Sequence, residues 1–167
     1  MIDLIEERKQ NEEKRQARSE KYRIEYINHE SGIRSLSLIY YGFGIILIAN
    51  AAINLKFVEY MATCLIGGII SLFVGTGLVK IASWSRTAAA IIALYGMTAM
   101  NVWTLIFGYA LYILFCEKGG FVFDESYQRS IKNTPEIQWK YTLLPIVMLA
   151  LAVLVFAIQI SQMRSYF

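Results

Sequence analysis

The stretch from Trp84 to Cys116 constrains the fold more than any other. It reads WSRTAAAIIALYGMTAMNVWTLIFGYALYILFC, thirty-three residues with one charge, Arg86, near the start. As a single helix it would run about 50 Å, against a bilayer hydrocarbon core of roughly 30 Å. It must therefore tilt steeply and project, or fold back on itself. Three further runs, 35–55, 60–79 and 141–163, contain no Asp, Glu, Lys or Arg. Uncharged apolar runs of about 20 residues read as bilayer-spanning helices. Backbone groups in lipid have to be satisfied within the segment, which makes helices the default. The composition agrees, with 56% hydrophobic residues in 167 and a mean hydropathy of +0.44. The expected fold is an all-α, polytopic transmembrane helical bundle.

Orientation decides between a hairpin and one long helix, because cytoplasmic flanks carry the Lys/Arg excess. If 84–116 is a hairpin turning near residues 97–103, there are five spans, about 35–55, 60–80, 84–99, 102–116 and 142–163. Fourteen of the sixteen Lys and Arg residues then lie inside, and only Lys56 and Arg164 lie outside. If it is one helix there are four spans, and the split falls to eleven against five. The hairpin is the better fit, with Gly96 and Asn101 available to its turn. Its cost is length, since arms of about 16 residues reach only about 24 Å. The resulting organisation is a charged cytoplasmic helical tail, 1–34, a transmembrane domain, 35–163, holding a cytoplasmic loop, 117–141, and a short tail, 164–167. The first apolar run begins too late for an ordinary signal peptide, so it is expected to be retained.

The tail holds eight basic and eight acidic residues and is neutral overall. Helix formers dominate, and Glu6–Lys9 and Glu12–Arg15 are spaced as i,i+3 ion pairs. Its middle lacks an apolar stripe, so no coiled-coil seam is expected. Two readings stand side by side: a solvated helix leading into the membrane, or a docking arm for a partner anchored by Ile2, Leu4 and Ile5. Acids cancel bases throughout, which argues against nucleic acid.

Within the spans, Tyr40 and Tyr41 sit near the cytoplasmic interface, where aromatics are favoured. Asn50 and Asn54, four residues apart, share a helix face and can hydrogen-bond a neighbouring helix. Gly67, Ser71 and Gly75 repeat every four residues, with Gly68 and Gly77 beside them, a small-residue row that admits another backbone. In the loop, Gly119–Gly120 is expected to break the preceding helix. Asp124 is the expected N-cap of a short helix to about Asn133, with Glu125–Arg129 as an i,i+4 pair. Phe121, Phe123, Tyr127 and Ile131 give that helix an apolar side, expected to lie along the membrane surface as an interfacial segment. Thr134–Pro135 ends it, and Trp139 and Tyr141 mark re-entry.

The pattern of Trp84 with Arg86, Thr104, Tyr109-Ala110-Leu111-Tyr112-Ile113-Leu114-Phe115, Phe123 with Tyr127 and Thr134-Pro135 resembles a group of small, uncharacterised bacterial multi-span membrane proteins. The run His29–Ser35 followed by Tyr40-Tyr41 is similar to the segment before that group's first span. The group has Pro-x-Gly-Thr at the hairpin turn, where this chain has Asn101-Val102-Trp103-Thr104. The resemblance implies a bacterial inner-membrane setting and the hairpin, and no activity.

Chemistry-bearing motifs are sparse. The one histidine, His29, is expected to be solvated or at the membrane surface. Neither an acid–Ser–His arrangement nor a metal site is expected, and no cofactor is implied. Cys64 and Cys116 both sit in apolar runs, which reads as two structural thiols. The glycine-rich stretch 67–77 lacks GK[ST] and lies inside an apolar run, so it is no phosphate loop. Proton relays and ion-coupled transport use ionisable residues inside the membrane, and the runs 35–55, 60–79, 87–116 and 141–163 have no Asp, Glu, His, Lys or Arg. The expected function is therefore non-catalytic: an accessory or assembly subunit of a larger membrane complex, in contact with membrane lipid and with other subunits or its own copies. The alternative is a homo-oligomeric pore or membrane-perturbing effector gated by the tail, with Asn50, Asn54, Thr98, Asn101 and Thr104 along a polar path. Reporter fusions after residues 100 and 125 are expected to read outside and inside respectively. The same side for both overturns the hairpin.

Overall fold

The computed structural model describes residues 2–53, 57–98 and 102–164, with side chains described between 6 and 158 apart from 102 and 155. Over these residues the chain is helical, without a strand. The elements are α1 (Ile2–Ile53), α2 (Val58–Val79), α3 (Ser83–Met97), α4 (Val102–Phe115), α5 (Glu117–Val122), α6 (Glu125–Asn133) and α7 (Leu143–Arg164). The stretch 84–116 is thus two helices packed against each other, and the one-helix alternative is not what forms.

The tail and the first apolar run are one continuous helix of 52 residues, about 78 Å long. Every side chain from 6 to 18 is exposed, so the first part of α1 stands clear of the bundle. The ion pairs formed among the described residues are Arg23–Glu30, Arg34–Glu30 and Arg129–Glu125; neither Glu6–Lys9 nor Glu12–Arg15 closes. Ile2, Leu4 and Ile5 lie on α1, but their side chains fall outside the described ones.

α2 runs back along α1. Gly44 and Gly68 meet backbone to backbone: a Cβ on Gly44 would lie 2.8 Å from the Gly68 oxygen, and one on Gly68 2.9 Å from that of Gly44. Farther along, the Ser71 hydroxyl donates to the Tyr40 carbonyl at 2.8 Å and the Tyr41 ring covers Gly75. The small-residue row is therefore an internal contact, and its tightest approach to α1 is at Gly68, not Gly67, which meets Leu47 at an ordinary distance. Asn50 donates to Ile46 within its own helix at 3.1 Å, and Asn54 lies outside the described residues. α2 ends in a Schellman turn, with Ala82 N–H bonded to the Gly77 carbonyl at 2.9 Å and Ile81 at φ 52°. A β-branched residue is strained there, and burial of its side chain holds it in place.

α3 and α4 form an antiparallel hairpin whose faces meet where Gly96 receives the Phe107 ring. Gly96 lies inside α3 and not in the turn; Asn101 lies outside the described residues. α7 runs parallel to α1, with Thr142 N–H on the Ser35 hydroxyl at 2.8 Å and Leu149 against Gly42. Successive long helices thus alternate in direction around a core of Ile33, Leu36, Tyr40, Leu78, Phe107 and Leu114. Among the described residues two helices are long and apolar enough to cross a membrane, Glu6–Ile53 and Val58–Val79; the apolar helices Trp103–Phe115 and Leu143–Ile158 are shorter.

In the loop, the break falls at Cys116 and not at Gly119–Gly120, which lie within α5. α6 starts at its expected cap, with Asp124 accepting from Ser126 N–H at 2.8 Å, and Arg129 meets Glu125 at 3.1 Å. Its apolar side turns inward. Tyr127 and Phe123 are buried, and Phe121 packs on Tyr26 at 4.7 Å between ring centres. Phe121, Phe123, Tyr127 and Ile131 therefore join the core instead of lying out on a membrane surface, because α1 offers an aromatic strip for them to cover.

Gly119 is the tightest point of this docking: a Cβ there would sit 2.0 Å from the Ile113 carbonyl oxygen. Gly119→Ala is expected to cost at least about 1–3 kcal/mol. Gly108→Ala, with nothing within 4 Å, should be neutral or slightly stabilising. Unfolding midpoints in detergent compare the two.

Candidate functional site

Arg23, Glu30 and Arg34 are spaced i, i+7 and i+11, which places all three on one stripe of α1. The stripe is not solvated. Glu30 is 0% exposed and Arg23 2%. Glu30 Oε1 accepts from Arg34 Nε at 2.9 Å; Oε2 lies 2.8 Å from Arg23 Nη1 and accepts from the Tyr127 hydroxyl at 2.8 Å. The remaining guanidinium donors reach outward. Arg23 Nη2 donates to the Ile137 carbonyl at 2.6 Å, and Arg34 Nη1 donates to the Val79 carbonyl at the end of α2. The Arg34 guanidinium also stands 5.1 Å above the Trp139 ring.

One buried carboxylate therefore gathers α1, the end of α2, α6 and the segment 134–142. A buried ion needs such saturation, since an unpaired charge in a protein interior is expensive. Burial and the adjacent Glu30 carboxylate push the Tyr127 hydroxyl well above the usual phenol range, so it stays protonated and donates. Burial lowers Arg34 from its ordinary value, and Glu30 opposes the shift. Two cations facing one anion leave the cluster with a net positive charge. Arg23 Nε has no hydrogen-bond partner, and Nη1 approaches Glu30 without hydrogen-bond geometry.

Two further contacts brace this end of the bundle. Arg86 Nε donates to the Leu114 carbonyl at 3.0 Å, placing a cation on the last turn of α4. Gln128 Nε2 donates to the Ile81 carbonyl at 3.1 Å, which ties α6 to the strained corner between α2 and α3.

His29, expected to be solvated or at the membrane surface, is half-buried, with Nε2 2.9 Å from Cys116 Sγ, which also accepts from Gly119 N–H at 3.3 Å. Burial, and then Lys118, lower the His29 pKa below its ordinary value, so the ring is neutral at pH 7. A neutral imidazole beside a thiol is the beginning of a nucleophile–base pair. Among the described residues nothing orients the other ring nitrogen, and the thiol also donates to the Ile113 carbonyl at 3.2 Å. Cys64 is buried on α2 and not paired with Cys116. Among the described residues no three metal-ligating side chains converge.

Sequence reasoning passed over the Arg23–Glu30–Arg34 cluster because it counted charges along the tail instead of sorting them by helix face. The signal was there: 19, 23, 30, 33, 37 and 40, with the half-buried Tyr26 between them, follow a three–four spacing that carries buried side chains from the tail into the first apolar run. The His29–Cys116 contact spans 87 positions and has no local signal. Of the residues expected along a polar path, Thr98 and Thr104 donate to the Tyr95 and Met97 carbonyls.

No protein-family model, curated protein or solved structure matches the chain. What fold and site define is an all-α protein with a charged helical arm, apolar helices and an ionic cluster buried at one end.

Glu30→Ala strands the buried Arg23 guanidinium and the half-buried one of Arg34, and is expected to destabilise by about 3–5 kcal/mol. Tyr127→Phe removes one hydrogen bond to a charged group, about 1.5–3 kcal/mol. Denaturant midpoints of the purified protein check both; an unchanged midpoint for Glu30→Ala would show that the cluster does not hold the fold.

Proposed function

We propose that this chain is an integral membrane protein of five spans, in the bacterial inner membrane with its N-terminus cytoplasmic, and that it works by contact and not by catalysis. It serves as an accessory or assembly subunit of a larger membrane complex. The observation that carries the reading is the outer surface of the bundle. Large apolar side chains stand exposed on every long helix: Ile45 on α1, Ile66 and Phe73 on α2, Ile91 on α3, Leu105 on α4 and Leu154 on α7. Apolar exposure on that scale suits lipid and not water. The described charged side chains keep to the arm, the loop and the ionic end, apart from Glu59 at the start of α2.

The short helices fit with local thinning. α3 and α4, of 15 and 14 residues, reach about 21–22 Å, and a bilayer adapts to such mismatch at modest cost. The contact role draws on the arm, whose exposed residues 6–18 extend a helix braced at its base by the Glu30 cluster. The bacterial setting rests on the sequence resemblance alone. A photo-crosslinking residue at Gln10 or Gln16 is expected to capture a stoichiometric partner in native membranes. A lone monomer across several mild detergents, with no adduct from either position, overturns the contact role.

A further inference from the structure

We propose that the cleft between α1 and the segment following α6 is a binding site for a phosphate-type anion, supplied in the membrane by the headgroup of an anionic phospholipid. The cleft encloses about 410 Å³ and is lined by Arg23, Arg34, Thr134, Pro135, Gln138 and Trp139. Three observations converge on an anion.

The first is charge. Arg23 and Arg34 share a single carboxylate, Glu30, and no second acid lines the cleft. A buried net positive charge draws an anion to offset it. The second is unused donor capacity. Arg23 is 2% exposed, lines the cleft, and has Nε without a partner, while its Nη1 is taken up by the ion pair with Glu30. Among the described residues no hydrogen bond engages Arg34 Nη2 either. Planar guanidinium donors match the oxygen pairs of a phosphate group. The third is position. Trp139 and Tyr141, ring centres 4.7 Å apart, precede α7 where it would enter the bilayer, the level at which aromatic rings and headgroups meet. Basic pockets at the cytoplasmic ends of spanning helices are sites for anionic headgroups. The anion site stands on the cleft alone, while its lipid source rests on the membrane reading above.

The test uses the full-length protein in an uncharged detergent, with thermal midpoint and tryptophan emission followed during titration. The probes are inorganic phosphate, short-chain phosphatidylglycerol, and chloride at matched ionic strength. Expected is saturable binding of phosphatidylglycerol, competed by inorganic phosphate and absent with chloride. Gln138→Glu places a carboxylate at the exposed rim without touching the ionic cluster and should weaken binding roughly fivefold or more. Lys9→Glu, on the distant arm, should leave it unchanged. Arg23→Gln should abolish binding where it folds, and the rim variant keeps the test decisive where it does not. Saturation by inorganic phosphate but not by the lipid supports the site and overturns the lipid source. Binding of neither probe, or equal binding by Gln138→Glu, overturns the site. Reporter fusions read topology independently, so failure of the membrane reading is told apart from failure of the site.

Discussion

A single carboxylate with no access to solvent, Glu30, holds two guanidiniums and a phenol at the point where four segments of the chain meet. Its two oxygens take Arg34 on one side and Arg23 with Tyr127 on the other. The arginines then spend their outer donors on carbonyls of Ile137 and Val79. Through these bonds the loop 117–141 becomes part of the bundle and does not trail from it. The energetic logic is that of a buried network built around the anion: each member is costly alone, and the set is tolerable because both Glu30 oxygens are engaged, while Arg23 Nε is left without a partner.

That network also explains why α1 can run through 52 residues. Its first third is a polar helix with little to gain from packing, and isolated helices of that kind are marginal in water. Below it, the aromatic strip of Tyr22 and Tyr26 is covered by Phe121, and the charged stripe is covered by α6 and the segment after it. The helix is thus anchored over about three turns before the apolar run begins, and the exposed arm is an extension of that anchored stretch.

The loop was the part of the molecule that local sequence described most misleadingly. Its helix, its Asp124 cap and its Glu125–Arg129 pair all follow from short-range rules, and all form. Which way its apolar side turns does not follow from such rules. Phe121, Phe123, Tyr127 and Ile131 fit a bilayer surface and a protein core equally well by composition. The choice was made by the matching strip on α1, about a hundred positions away. The same holds for Gly119–Gly120, which look like a helix break. Gly119 instead allows a close passage under the Ile113 carbonyl, while Cys116 provides the bend.

By itself the sequence determined what is set by neighbours along the chain. The apolar runs, their separation by polar turns, the division of 84–116 into two arms and the cap of α6 all appear in periodicity, charge placement and local hydrogen-bonding chemistry. Only the tertiary structure decided which small residue of α2 comes closest to α1, that Arg23 and Glu30 of the tail are buried, and that His29 meets Cys116. Those outcomes depend on which helix faces are brought together and at what height, a property of the packed bundle that no window of adjacent residues encodes.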